Sequence, residues 1–332
     1  MTAAECLAAA IDPVALATAG PIAGAVLGVV TVAGERAVDA FGLAQREPHT
    51  APMRRDTWFD LASLTKVLFT TPAILRLVAQ GRIALDDVLT VAIPDLRQYD
   101  PAAAERRLTF RQCLSHQTHL PAVEPLYTYG QDPATLRAFI LQRVWRAGPA
   151  VYSDINFMLL GIAIERLTGI PLGEQKLPPG MSFHPVPADC AATERCTWRG
   201  RMMRGEVHDE NASALGGAAG HAGLFGTIDA VLDAACALLR GAEPALAGMR
   251  ARQSATRTLG WQARHDGWSG GAACSDQTIG HTGFTGTGIW IDFSRGIAWA
   301  LLTNRVHPTR HRDTGIDDLR RRVGTLIAGA AR

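Results

Sequence analysis

The sequence predicts an α+β fold, with an antiparallel sheet built from both termini, flanked by helices, and a mostly helical inserted subdomain between them. Three observations carry this: strand-like apolar runs near the start, four more near the end, and helix-periodic segments in the middle. The expected division is residues 1–84 plus 241–332 for the sheet part and 85–240 for the helical part, within a single catalytic unit spanning 1–332.

The first element is "AGAVLGVVTVAGERAVDAFGLA" (23–44), two β-rich runs separated by the turn-like "AGER", which reads as a hairpin. From Ser63 to about Gln80, apolar residues Leu64, Val67, Leu68, Ile74, Leu75, Leu77 and Val78 recur at spacings of three and four, as in a largely buried helix with Ser63 at its N-terminal end. Further helices are expected at 109–115, 133–145, 155–168 and 228–240, interrupted by a Gly- and Pro-rich loop region from 170 to 227. Strands follow at about 257–264, 276–283, 287–293 and 297–304, then an amphipathic helix at 315–330.

Composition narrows the function classes. The chain has 332 residues, 47% of them hydrophobic, enough for a sizeable core. Its 33 basic and 31 acidic residues leave a net charge of +2, which gives no nucleic-acid footprint and no attraction to an anionic membrane. A small-molecule partner is expected. The apolar stretch 11–32 lacks a basic leader and is broken by Asp12, Pro13, Gly20, Pro21 and Gly24, so no signal peptide is read there. The six cysteines show neither metal spacing nor a dense disulfide pattern, and the expected compartment is the reducing cytoplasm.

Only two lysines occur, Lys66 and Lys176, and Lys66 sits three residues after Ser63 in "LASLTKVL". A serine hydroxyl needs a base within reach and donors aimed at the developing oxyanion. One helical turn sets Lys66 over Ser63, and desolvation by Leu61, Ala62, Leu64 and Val67 is expected to lower its pKa toward neutrality. A second piece, "VYSDINFMLLGIAIERLTG" (151–169), places Tyr152 before an apolar helix with Asp154 at the expected N-cap. The third, "GHTGFTGTGIWID" (280–292), puts glycines in a strand, which weakens it unless a ligand or another backbone approaches closely. Each piece alone has an ordinary structural reading.

Together, Ser-x-x-Lys opening a helix, Tyr-x-Asp before a second helix and His-Thr-Gly on a late strand resemble the three signature elements of the serine β-lactamase and penicillin-binding protein superfamily. "FDLASLTKV", "LTFRQCLSHQTHLPA", "YSDINFMLLGIAIERLTG", "AGHAGLFGT" and "GHTGFTGTGIWID" look like successive blocks of its class C β-lactamase, DD-peptidase and esterase branch. "RGEVHDENASALGGAAGHAGLFGT" (204–227) and "LLTNRVHPTR" (301–310) look most like the group with N-acetylmuramoyl-L-alanine amidases.

The resemblance implies a β-lactamase-like fold and a metal-independent, cofactor-free serine hydrolase working through an acyl-enzyme. Carried over by position, Ser63, Lys66 and Tyr152 would be catalytic, and the backbone N–H groups of Ser63 and Phe284 would form the oxyanion hole. Asp154, His281, Thr282 and Gly283 would contact substrate, together with His208, Asp209 and His221 of the polar cluster in "VHDENA" and "GHAG". The expected substrate is a peptidoglycan-derived muropeptide amide, cut at the lactyl-alanine bond or at a D-alanine terminus. The alternatives are a carboxylesterase of small acyl esters and an inactive penicillin-binding-like homologue.

Class C β-lactamases usually carry Lys-Thr-Gly and Tyr-x-Asn where this chain has His281-Thr282-Gly283 and Tyr152-Ser153-Asp154; an anionic Asp154 is expected to pair with Lys66 and to favour substrate N–H donors, so at most weak β-lactam turnover is expected. The segment between Gly173 and Pro178 is shorter than is usual in the family and is expected to leave the pocket wall more open. His116 and His119 are read as structural residues, and Ser269 in "GWSGG" as a turn residue, because no helix is expected after it.

Overall fold

Seven antiparallel strands form the main sheet of the computed structural model, which describes residues 2–331. In spatial order they are Ala51–Pro52, Arg36–Gln45, Gly24–Thr31, Ile297–Thr303, Gly288–Asp292, Thr278–Thr282 and Gln262–Ala263, so both termini contribute. The central pair, Gly24–Thr31 and Ile297–Thr303, is buried throughout, and its side chains alternate between two cores. Val26 and Val30 belong to the core shared with the helix Ile228–Arg240 and the middle of the chain. Ala25, Leu27 and Val29 face the opposite layer, formed by the helices Ala3–Ala8, Ile11–Ala19 and Ile316–Ala330.

The helix Asp154–Thr168 buries every residue from Ile155 to Ile164, as an element apolar on all sides must. It packs so closely on the loop before Phe225 that a Cβ on Gly161 would lie 2.9 Å from the Gly220 nitrogen. No helix among the described residues is long and apolar enough to cross a membrane.

Several local expectations change. The helix after Ser63 is not α-helical throughout: its first part, Lys66–Thr70, is a π-helix, followed by the α-helix Thr71–Ala79. Pro72 has no N–H to give to Leu68, and its ring would collide with that carbonyl in a regular α-helix, so the preceding turn widens. Asp154 is not the N-cap of its helix; Ser153 is, its hydroxyl donating to the Pro121 carbonyl at 2.6 Å, while Asp154 is the first helical residue. The expected strand at 257–264 shrinks to Gln262–Ala263, because Gly260, at φ +84°, turns the chain and Arg257 pairs back with Gln262.

The helices Ala3–Ala8 and Ile11–Ala19 have no counterpart in the sequence reading, where Pro13 counted as a breaker. Pro13 falls in the first helical turn, where N–H groups have no intrahelical acceptor, and so costs no hydrogen bond. The loop region 170–227 contains short strands, Met181–Ser182, Ala192–Cys196, Arg201–Arg204 and Phe225–Gly226, and the short helix Glu210–Ala214.

Candidate active site

Ser63 sits on a turn built around Asp60. The fully buried Asp60 carboxylate accepts N–H bonds from Ala62 at 2.8 Å and from His208 at 2.6 Å. Ala62 adopts φ +48°, a strained conformation for a residue with a Cβ, and the Thr65 hydroxyl pins its carbonyl at 2.6 Å. The same segment is stitched to the late strand: Thr285 donates its hydroxyl to the Asp60 carbonyl and Thr287 to that of Leu61. Those two bonds bring Ser63 alongside Phe284 across 221 residues of sequence.

Lys66, with no exposed surface, donates from Nζ to Ser63 Oγ at 2.8 Å and to the His221 carbonyl at 3.0 Å. Its third neighbour is the Asp154 carboxylate, Oδ1 at 2.8 Å. The Tyr152 ring lies 5.1 Å from Nζ. Burial alone would lower the lysine pKa, but Asp154 and Tyr152 outweigh it and hold the group above its ordinary value. This reverses the expectation of a lysine desolvated toward neutrality: at pH 7 the resting form is an ammonium.

Two histidines flank Tyr152 in opposite tautomers. His116, at φ +55°, packs its ring 4.5 Å from the tyrosine ring and accepts the Ser153 N–H on Nδ1 at 3.0 Å. Burial, reinforced by Arg257 and Lys66, pushes its pKa well below the usual value, so the ring is neutral with its proton on Nε2. The His281 ring lies 5.8 Å from the tyrosine ring, and burial with Lys66 and Arg257 keeps it neutral too. Its Nδ1 meets the Thr282 carbonyl at 2.9 Å, and because a carbonyl only accepts, that nitrogen carries the proton.

Gly283 is where the late strand touches the serine turn. A Cβ there would fall 2.2 Å from Thr287 Oγ1 and 2.6 Å from the Leu61 carbonyl, so only glycine fits. Neither the Ser63 nor the Phe284 amide N–H donates to a protein acceptor among the described residues. The carbonyl of the Gly283–Phe284 peptide accepts from Arg320 Nη2 at 2.8 Å, and the Phe284 carbonyl accepts from Arg305 Nε at 2.9 Å. Arg320, buried on the C-terminal helix, thus fixes the Gly283–Phe284 peptide, whose N–H belongs to Phe284.

Ser63, Tyr152, Asp154, His208, Asp209, His281, Thr282, Gly283 and Phe284 line one cleft of about 910 Å³. His221 does not: it is 1% exposed and sits behind Asp209, its Nε2 3.0 Å from Oδ1. Its expected substrate contact is therefore corrected to support of Asp209 and, through its carbonyl, of Lys66. His208 stacks on Phe284 at 5.7 Å, and behind it Arg310 pairs with Glu194 and Glu210. Glu194, Cys196 and Glu210 come within metal-ligating distance of one another, but Arg310 occupies both carboxylates.

The segment 173–178 takes no part in the cleft, so it does not form the wall it was expected to open; it borders two other surface hollows instead. Ser269 lies in a turn and accepts from Trp290 Nε1 at 3.2 Å. The sequence reading passed over Arg257, Arg305 and Arg320, because arginines scattered over more than sixty residues, in segments already rich in polar residues, carry no local pattern.

The sequence profile described as Beta-lactamase matches residues 14–322. N-acetylmuramyl-L-alanine amidase of Bacillus subtilis (strain 168) is 32% identical, over 77% of this chain and 70% of that protein. A putative D-alanyl-D-alanine carboxypeptidase of Salmonella agona (strain SL483) is 30% identical, over 76% and 70%. Among solved structures, a beta-lactamase from Sulfitobacter sp. EE-36 superposes with a TM-score of 0.75 at 20% identity, covering 99% of this chain and 98% of that one. EstCE1, a hydrolase with promiscuous acyltransferase activity, gives 0.73 at 20% identity, covering 97% and 99%. At those identities the structural matches speak for the fold alone.

Proposed function

Because this chain belongs to the Beta-lactamase family and is a serine hydrolase, we propose that it cleaves amide bonds of peptidoglycan-derived muropeptides through an acyl-enzyme on Ser63. The observation that carries the reading is the run of contacts from Ser63 Oγ to Lys66 Nζ to Asp154, each 2.8 Å, in a chain whose relatives bear amidase and carboxypeptidase names.

In this reading Ser63 Oγ attacks the acyl carbonyl and its proton leaves through Lys66 and Tyr152. Because Lys66 rests as an ammonium, Nζ takes the serine proton only as it passes one of its own to a Tyr152 phenolate, and the phenol so formed delivers that proton to the departing nitrogen as the C–N bond breaks. The oxyanion sits between the Ser63 and Phe284 amides, where one donor is typically worth about 10² to 10³ in rate. Water then hydrolyses the Ser63 ester and regenerates the hydroxyl. Asp154, His281, Thr282, Gly283, His208 and Asp209 shape the substrate's path along the cleft. Six free, buried cysteines support a reducing, cytoplasmic setting.

The test is mass spectrometry of a muropeptide mixture incubated with wild type and with Ser63→Ala. Loss of the stem peptide from the lactyl group with wild type alone establishes an amidase, and loss of terminal D-alanine establishes a carboxypeptidase. If neither forms while a simple ester is still cleaved, the muropeptide reading is overturned.

A further inference from the structure

A second hollow, of about 680 Å³, lies against the segment that follows Lys66 and shares no lining residue with the catalytic cleft. Leu68, Ala73, Leu177, Ala234, Leu238 and Phe293 line it, each only partly covered by the core beneath. They come from the π- and α-helix after Ser63, the loop at 170–180, the helix Ile228–Arg240 and the end of the sheet. The small side chains of Ala73 and Ala234 leave the space open where longer ones would close it. Apolar surface gathered in one recess marks a binding site more than the same residues scattered singly would, and this volume falls in the usual range of ligand cavities.

The charges around the hollow are uneven. Two carboxylates border it and both are occupied, Asp233 by Arg36 and Glu243 by Arg76. Arg82, Lys176 and Arg250 border it too, and none of the three has an ion pair among the described residues. Arg250 lies over the Phe293 ring at 4.0 Å and donates to Gln277, whereas Arg82 and Lys176 are exposed and their side chains donate no hydrogen bond. The uncompensated charge is therefore positive. Lys and Arg stems lie along apolar surface while their heads stay in water, so these cations can meet an anion held at the mouth. The complement is an apolar body with one negative end; a sugar or nucleotide would leave hydroxyl groups unpaired against the aliphatic walls.

We propose that this hollow is a binding site for a long-chain fatty carboxylate, with the chain between the Lys66–Ala79 segment and the helix Ile228–Arg240 and the carboxylate at Arg82 and Lys176. Filling it restores dispersion contacts that the alanine-lined walls lack and removes exposed apolar surface from water. The site is independent of the reaction assigned to Ser63.

Isothermal titration of the whole chain with octanoate, decanoate and dodecanoate, each below its micelle concentration, tests it. One molecule should bind per chain, with Kd improving about 10-fold for every two methylenes added. Dodecyltrimethylammonium, with the same chain and the opposite charge, should bind at least about 10-fold more weakly than dodecanoate. Arg82→Gln/Lys176→Gln should weaken dodecanoate by about 2- to 30-fold, the span for two exposed charge contacts, and leave dodecanol unchanged. Ala234→Trp, checked by a melting curve, should fill the hollow and abolish binding; if it does not fold, the exposed charge variants decide. Ser63→Ala should bind as wild type does, and dependence on Ser63 would put the ligand in the catalytic cleft. Absence of binding at about 1 mM dodecanoate, equal affinity for the two head groups, or binding retained in folded Ala234→Trp overturns the site. Because the readout is binding, none of these outcomes depends on which bond the enzyme cleaves.

Discussion

The Asp154 carboxylate lies 2.8 Å from the fully buried Lys66 ammonium, and that contact decides the charge state of the site. Without the anion, burial would dominate and favour the neutral amine; with it, the charged pair is retained.

Asp154→Asn should therefore reverse the sign of the Lys66 shift. In wild type the raised pKa means the lysine stabilises the fold at all pH values below its unfolded value, an effect lost only as pH rises through the still higher folded value. In the variant, desolvation depresses the pKa, the unfolded chain binds the proton more readily, and stability rises with pH up to the unfolded value. Urea denaturation at pH 7 and pH 9, with Asp154→Asn/Lys66→Met as the reference, should show the single variant gaining stability at pH 9. At pH 7 it should be weaker than wild type by about 3–5 kcal/mol, the cost of stranding a buried charge. A flat difference between the two pH values contradicts the assignment.

Lys66→Arg should fold and yet lose at least about 10² in kcat/KM, because a guanidinium cannot give up a proton to take the serine's. The site is also tight, with Ser63 Oγ and the His221 carbonyl both in contact with Nζ. Turnover at the wild-type rate would remove Lys66 from the proton path.

Gly283→Ala introduces a methyl group 2.2 Å from Thr287 Oγ1 and 2.6 Å from the Leu61 carbonyl. The strand must back away from the serine turn and carry the Phe284 amide with it. Loss of one oxyanion donor predicts a fall in kcat of about 10² to 10³. Steady-state kinetics alongside a melting curve separates this from simple unfolding, and full activity in a folded variant would place the oxyanion elsewhere.

Arg320 donates to the carbonyl of the peptide whose N–H belongs to Phe284. A charged donor on one end of an amide polarises it and strengthens the donor at the other end. Arg320→Met should lower kcat more than it raises KM, and Arg320→Lys should recover part of kcat. A change in melting temperature with unaltered kcat would reduce Arg320 to a structural tie.

Much of the fold could be read from the sequence because its signals are local. The strands Gly24–Thr31 and Ile297–Thr303 are uniformly apolar, the helix Asp154–Thr168 is apolar on every face, and turn residues separate the late strands. The Ser63, Tyr152 and His281 segments were legible as well, since each side chain is bound to a short motif on a defined element. The N-terminal helices were not, because a proline in a first turn looks like a breaker until the helix register is known.

Charge and reach were decided by tertiary structure alone. Spacing put Lys66 over Ser63 and the motif implied an Asp154–Lys66 pair, but only the packing of the second helix set that pair close enough to outweigh desolvation and keep the lysine protonated. The sequence set His221 beside Asp209 in the cleft; burial moved it behind. Arg257, Arg305 and Arg320 come from different elements and meet around the cleft only when the sheet, its edge turn and the C-terminal helix are assembled. Electrostatic state depends on three-dimensional distance and desolvation, and neither is a property of sequence separation.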